Sequence, residues 1–174
     1  MIRDATPSDY PAILALNLAS EHLLAPLGLE HLAHLHAMAD RLRVVELDGT
    51  VVAFLLVLRE GAAYDSPNYR YFAARRDKFL YVDRIVVGDG HRGGRWGSAL
   101  YEELLDAARA GGVPSVTCEI DAEPPNEASR RFHARFGFQE IGRQWVAEGR
   151  KQVSLQEAKV VPRTAPAEPS QETA

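Results

Sequence analysis

Arg92 and Arg95 stand in Gly88–Gly97, a stretch that also holds five glycines and His91. Before it, Leu80–Val87 is β-branched and aromatic with few breakers, and reads as a strand. After it, Ser98 opens a helical period with Leu100, Leu104, Leu105 and Ala108 on one face. A glycine-rich turn between a strand and a helix N-terminus presents free backbone N–H groups and the positive end of a helix dipole. That is an anion site, and it suits a pyrophosphate. Arg92 and Arg95 add charge-assisted contacts. No Gly-Lys-Ser/Thr follows, so the phosphate-binding P-loop is excluded.

Val86–Leu100 resembles the pyrophosphate-binding motif of the GNAT superfamily of acyl-CoA N-acyltransferases. That motif is an Arg or Gln, two residues, Gly, any residue, then Gly or Ala, placed after a strand and opening a helix. Arg92 matches its first position and Gly97 its last. Arg95 takes the middle glycine position, with Gly94 one step earlier. A non-glycine residue there carries a backbone cost if its φ is positive. A second segment, Asn126-Glu127-Ala128-Ser129-Arg130-Arg131-Phe132-His133-Ala134-Arg135-Phe136-Gly137-Phe138, is similar to the later motif of the same family. His133 stands where the family usually has Tyr. The resemblance covers roughly residues 1 to 157.

The resemblance implies an N-acetyltransferase that moves an acetyl group from acetyl-CoA directly to a primary amine of a small molecule or peptide. It implies cofactor contacts from Ile85, Val86 and Val87, whose backbone would pair with the pantetheine amides as an added strand does. It extends them to Arg92, Gly93, Gly94, Arg95, Trp96, Gly97 and Ser98 around the phosphates, and to Asn126 and Ser129 along the pantetheine arm. Trp96 packs either under the helix or against the adenine. The alternative is a non-catalytic acyl-CoA-binding or sensing module, suggested by the altered glycine position and the missing Tyr.

Acylating an amine requires removing a proton from the ammonium, and the departing thiolate takes one up. Asp83 is the first candidate base, being an acid in an otherwise apolar strand just upstream of the anion turn. The competing role is an ion pair with Arg84. Glu119, on the neighbouring candidate strand, is the second candidate. His133 can protonate the thiolate, because an unperturbed His titrates at about 6.5. It can equally be a packed histidine without that role. Tyr81 is a further donor or a pocket wall.

These residues need a scaffold. Met1–Asp4 reads as a strand, and Thr6, Pro7 and Asp9 as cap, first and third positions of a helix. Ala25–Gly28 breaks that helix, and a second covers Leu29 to Arg41. Asp48-Gly49 joins Arg43–Leu47 to Thr50–Leu58 as a hairpin. Gly61–Lys78 reads as a long polar and aromatic loop, a place where function often resides. Val113–Ile120 is a strand and Glu127–Phe136 a helix. Phe138–Ala147 and Arg150–Glu157 form a last hairpin. The order predicts an α/β (α+β) fold, with a mixed, mostly antiparallel seven-stranded sheet and helices on both faces. The resemblance adds a splay between the fourth and fifth strands. The expected domain is 1–157, followed by a disordered tail over 158–174 that is rich in Pro, Ala, Glu, Ser and Thr.

At 174 residues the chain suits one domain. Its net charge of −4 argues against a general nucleic-acid partner. No apolar run is long enough to span a membrane, so no membrane partner is expected. One cysteine, Cys118, fits a reducing compartment, and a cytoplasmic location is the expectation. His22, His31, His34 and His36 lack a carboxylate spacing for metal ligation, so no metal is expected. A monomer or a homodimer suits the chain. Tyr64, Asn68, Tyr69, Tyr71 and Phe72 of the long loop, with the turn Leu24–Leu29, are candidate walls for the acceptor.

Overall fold

The computed structural model describes residues 1–22 and 24–161. The strands are β1 (Ile2–Asp4), β2 (Arg41–Leu47), β3 (Thr50–Arg59), β4 (Leu80–Val87), β5 (Ser115–Glu123), β6 (Gln139–Val146) and β7 (Lys151–Lys159). The helices are α1 (Tyr10–Ala19), α2 (Leu29–Met38), α3 (Pro67–Ala73), α4 (Trp96–Ala110) and α5 (Glu127–Ala134). One seven-stranded sheet runs β1-β2-β3-β4-β5-β7-β6, and every neighbouring pair is antiparallel except β4 and β5.

β3 shows how the sequence sets the layers. It is apolar almost throughout, the pattern of a strand covered on both faces. Ala53, Leu55 and Val57 point to the layer where α4 packs Leu100, Tyr101, Leu104 and Ala108. Phe54 and Leu56 point to the opposite layer, against Ile13 of α1 and Leu32 and Leu35 of α2. Alternation with period two therefore feeds two cores from one strand.

The α1 start is as the sequence suggests: Thr6 and Asp9 form a capping box over a 3-10 turn, Pro7–Asp9, that leads into the helix. Asp9 also accepts two bonds from Arg3 at 2.8 Å, and its carboxyl is held well below the usual range by that cation.

Several boundaries are corrected. The second helix stops at Met38 rather than Arg41, because Asp40 N–H bonds Val57 O at 2.9 Å and Arg41 already pairs with Val57 in the sheet. The expected loop Gly61–Lys78 contains α3. Ser66 caps it, its Oγ accepting from Tyr69 N at 3.4 Å, and Pro67 takes the first turn. α4 begins at Trp96, ahead of Ser98, and α5 ends at Ala134 rather than Phe136. β5 begins at Ser115 and continues to Glu123. β7 runs to Lys159, and Val160 is buried with its N–H on Pro114 O at 2.9 Å. Of the expected tail, residues 162–174 lie outside the described residues.

β4 and β5 touch only at their starts, through Leu80↔Val116 and Tyr81↔Thr117. Beyond that point they diverge, as expected, while β3 still pairs with β4 up to Val87. One edge of Val82–Val87 therefore faces an opening in the sheet instead of a strand.

Candidate functional site

The opening is a cavity of about 760 Å³. Its walls come from the diverging strands, the start of α4, the start of α5, the α1–α2 connection, the α3 entry and the β6–β7 turn.

At one end, Gly88 N–H bonds Val52 O at 2.9 Å and holds the chain to β3 as it leaves the sheet. Asp89–His91 then form a 3-10 turn. Gly88-Asp89-Gly90-His91-Arg92-Gly93 spells the dinucleotide-binding letters. In that fingerprint the glycine turn itself opens the helix, whereas here α4 opens only at Trp96. Arg95 has φ +60°, so the backbone cost that a positive φ carries applies here, roughly 1–2 kcal/mol for a non-glycine residue. α4 starts directly after it, with Gly97 on the cavity wall, and the leading N–H groups of the helix lack intrahelical acceptors. At Gly97 a Cβ would sit 3.3 Å from the Phe132 ring, so its absence lets α4 and α5 close against each other. Trp96 packs against the α4-side core, which fits the first of its two expected placements.

The cavity brings together Ile85, Val86, Val87, Arg92, Gly97, Asn126 and Ser129 with Asp83, Glu119 and His133. Gly93, Gly94, Arg95, Trp96 and Ser98 are not among its lining residues. Arg92 is exposed and bonds Asp89 at 2.9 Å. Asn126 caps α5, its Oδ1 accepting from Ser129 N at 3.1 Å, which leaves its amide N–H groups for another partner.

The two candidate carboxyls differ. Asp83 is enclosed by donors: Arg84 Nε at 2.7 Å on Oδ2 and the Tyr64 hydroxyl at 2.5 Å on Oδ1. The ion-pair role weighed for it is thus present. Glu119 has no cation on it among the described residues. Tyr81 OH donates to its Oε2 at 2.6 Å. Burial pushes its carboxyl up to about 7. The Tyr81 bond opposes that rise and the charge of Asp83 adds to it.

His133 is buried between α4 and α5. Its Nδ1 lies 2.8 Å from Ser129 O, which can only accept, so this nitrogen carries the proton. Nε2, 2.7 Å from Tyr101 OH, then accepts. Burial lowers the imidazole to about 4, so it is neutral at pH 7.

Arg84 and the Asp121–Lys151 pair at 2.8 Å also line the cavity, and the sequence did not single them out for it. Of the candidate acceptor walls in the long loop, Tyr64 and Asn68 line the cavity. Arg84 had only its place beside Asp83.

A family model described as the Acetyltransferase (GNAT) family matches residues 8–138. A phosphinothricin N-acetyltransferase from Streptomyces coelicolor is 43% identical over 82 residues, a stretch covering 47% of this chain and 45% of that protein. A ribosomal-protein-alanine N-acetyltransferase structure from Brucella melitensis superposes with a TM-score of 0.68 at 27% identity, over 91% of this chain and 99% of that one. The yncA structure from Salmonella typhimurium, solved with its cofactor acetyl-CoA, has a TM-score of 0.68 at 22% identity, over 95% and 96% of the two chains. At that identity it shows the fold alone.

Proposed function

This chain belongs to the Acetyltransferase (GNAT) family, and from that premise we propose that it transfers an acetyl group from acetyl-CoA directly to a primary amine of a small molecule or peptide. The observation that carries the catalytic reading is Glu119, a cavity-wall carboxyl without a paired cation among the described residues and poised at about 7. A general base works best when its pKa lies near the operating pH. Glu119 takes the place of Asp83 as first choice, since Asp83 is committed to Arg84 and Tyr64.

Acetyl-CoA would supply the activated thioester. The α4 N-terminus and Arg92 suit its phosphates, and the unpaired edge of Ile85–Val87 suits its amide-bearing arm. The Asn126 amide and Ser129 hydroxyl add polar contacts at the start of α5. At the other end Glu119 removes one proton from the incoming ammonium. Acylation frees a second proton from the nitrogen, and this balances the thiolate. His133, neutral and bonded at both nitrogens, positions Tyr101 and Ser129 and does not serve as the acid. No metal takes part in this reading.

The acceptor class is framed by two relatives. The Streptomyces relative's name places phosphinothricin in a substrate screen, and the Brucella relative's name places an alanine N-terminus there. Thermal unfolding with acetyl-CoA, CoA and ATP is the first test. A ligand at about 100 times its Kd adds roughly 2.7 kcal/mol to stability. A rise in Tm with both CoA species and not with ATP, followed by thiol release on an amine panel, supports the reading. A Tm unmoved by either CoA species sinks it. A rise with no thiol release on any amine favours the non-catalytic binding module.

A further inference from the structure

The mechanism leaves one buried cation of the cavity unused. Arg84 is 6% exposed and lines the cavity. Its Nε donates to Asp83 Oδ2 at 2.7 Å, and its Nη1 donates to Asn17 Oδ1 at 2.8 Å and to Ala25 O at 3.3 Å. The two Nη1 bonds tie α1 and the α1–α2 connection to β4, and the three together account for the N–H groups of two nitrogens. A guanidinium has five such groups. The pair on Nη2 meets no acceptor among the described residues. Nor is Nη2 one of the sealed polar atoms left without a partner, which are Arg43 Nε and Ser115 Oγ.

Most of the neighbouring charges are paired. Asp83 is closed off by Tyr64 on its second oxygen. Lys151 is held by Asp121 at 2.8 Å, and Arg92 by Asp89 at 2.9 Å. Among the described residues, Glu119 and the exposed Glu21 of the α1–α2 connection line the cavity without a cation, and Glu119 takes the ammonium's proton in the proposed reaction. A pair of guanidinium N–H groups that meets no acceptor among the described residues, on a residue of the same cavity wall, is a complementary feature, because the arginine fork matches the oxygens of a carboxylate. Leaving it unmet against an uncharged substrate costs desolvation without return.

We propose that Arg84 is a specificity-determining residue that selects acceptors with an anionic oxygen group beside the amine, in the manner of a free α-amino acid, with Nη2 donating to that group. The inference rests on the acetyltransferase reading. It separates free amino acids from peptide N-termini, whose α-carboxyl is an amide.

The test uses the full-length protein with the twenty common α-amino acids, their C-amides, and the amines that lack the carboxyl, followed by thiol release. The expected result is a kcat/KM for an acid above that of its amide and amine by about 100-fold or more, the discrimination of a site built to bond a group its competitor lacks. In R84K and R84Q that ratio should fall to within about threefold of one. The ratio cancels any change in folded fraction. Equal or better turnover of amides or bare amines by the unaltered protein overturns the proposal and leaves acetyl transfer standing. A preference for the acid that survives both substitutions also overturns it. Failure of every panel member, with Tm raised by acetyl-CoA but no further by any acid over its amide, overturns it as well. A Tm unmoved by acetyl-CoA instead brings down the underlying function.

Discussion

The two ends of the cavity are built from different material. At the α4 end the chain offers the main-chain N–H groups of a helix start, which lack intrahelical acceptors and follow a glycine turn and a left-handed Arg95. The arginines there are exposed and make only surface pairs. At the β5 end the working groups are side chains, each fixed by another: Tyr81 on Glu119, Tyr64 and Arg84 on Asp83, Asn17 on Arg84. A site made of backbone tolerates changes of side chain, because each substitution removes one contact of several. A site made of interlocked side chains does not.

The largest effect should come from the side-chain end. Glu119→Gln should lower kcat/KM by about 10²–10⁴-fold in a thiol-release assay, with the acetyl-CoA-induced rise in Tm unchanged. The same substitution should raise stability at high pH. The Glu119 carboxyl is pushed above its unfolded value of 4.5 to about 7, so folding favours its protonated form. Its contribution is full below 4.5 and is lost as pH rises through about 7. The variant should therefore match the parent Tm at pH 4 and exceed it at pH 8. Retained activity would place the base elsewhere and erase the contrast between the two ends.

His133→Ala should cost about 2–3 kcal/mol of stability in a denaturant titration, because it opens a void and strands the Tyr101 hydroxyl. Turnover by the folded variant should stay within about tenfold. A loss of 100-fold at unchanged fold would restore His133 as an acid. At the backbone end, Arg92→Ala should weaken CoA binding by about three- to tenfold by calorimetry. The smallest effect is Arg95→Gly, which should raise stability by at most about 1 kcal/mol by relieving the left-handed strain. A large loss of CoA affinity there would show that the backbone end depends on its side chains after all.

The same difference governs what could be read from the sequence. The α4 turn and the Asn126–Phe138 segment are local, so spacing alone displays them. The glycine position filled by Arg95 raises the question of a positive φ, and the fold answers it at +60°. Glu119 and Tyr81 lie 38 residues apart, and Arg84 and Asn17 lie 67 apart, and no periodicity links such pairs. Asp83 was ranked above Glu119 because an acid in an apolar strand looks alike whether or not a cation covers it. Only the fold shows that Arg84 and Tyr64 cover one and not the other. α3 was missed for another reason. Seven residues with three aromatics carry too little period to show a helix, and Ser66-Pro67 was its one local mark.

The two-residue junction between β4 and β5 also bears on how the molecule moves. The sheet is two leaves, β1–β4 and β5-β7-β6, sharing a short spine. Amides along the open edge of β4 should exchange hydrogen fastest of all strand amides in the free protein, and should slow once a ligand fills the gap. The leaves would then flex as one plate. A substrate that completes a sheet acts, for as long as it stays, as part of the protein's own architecture.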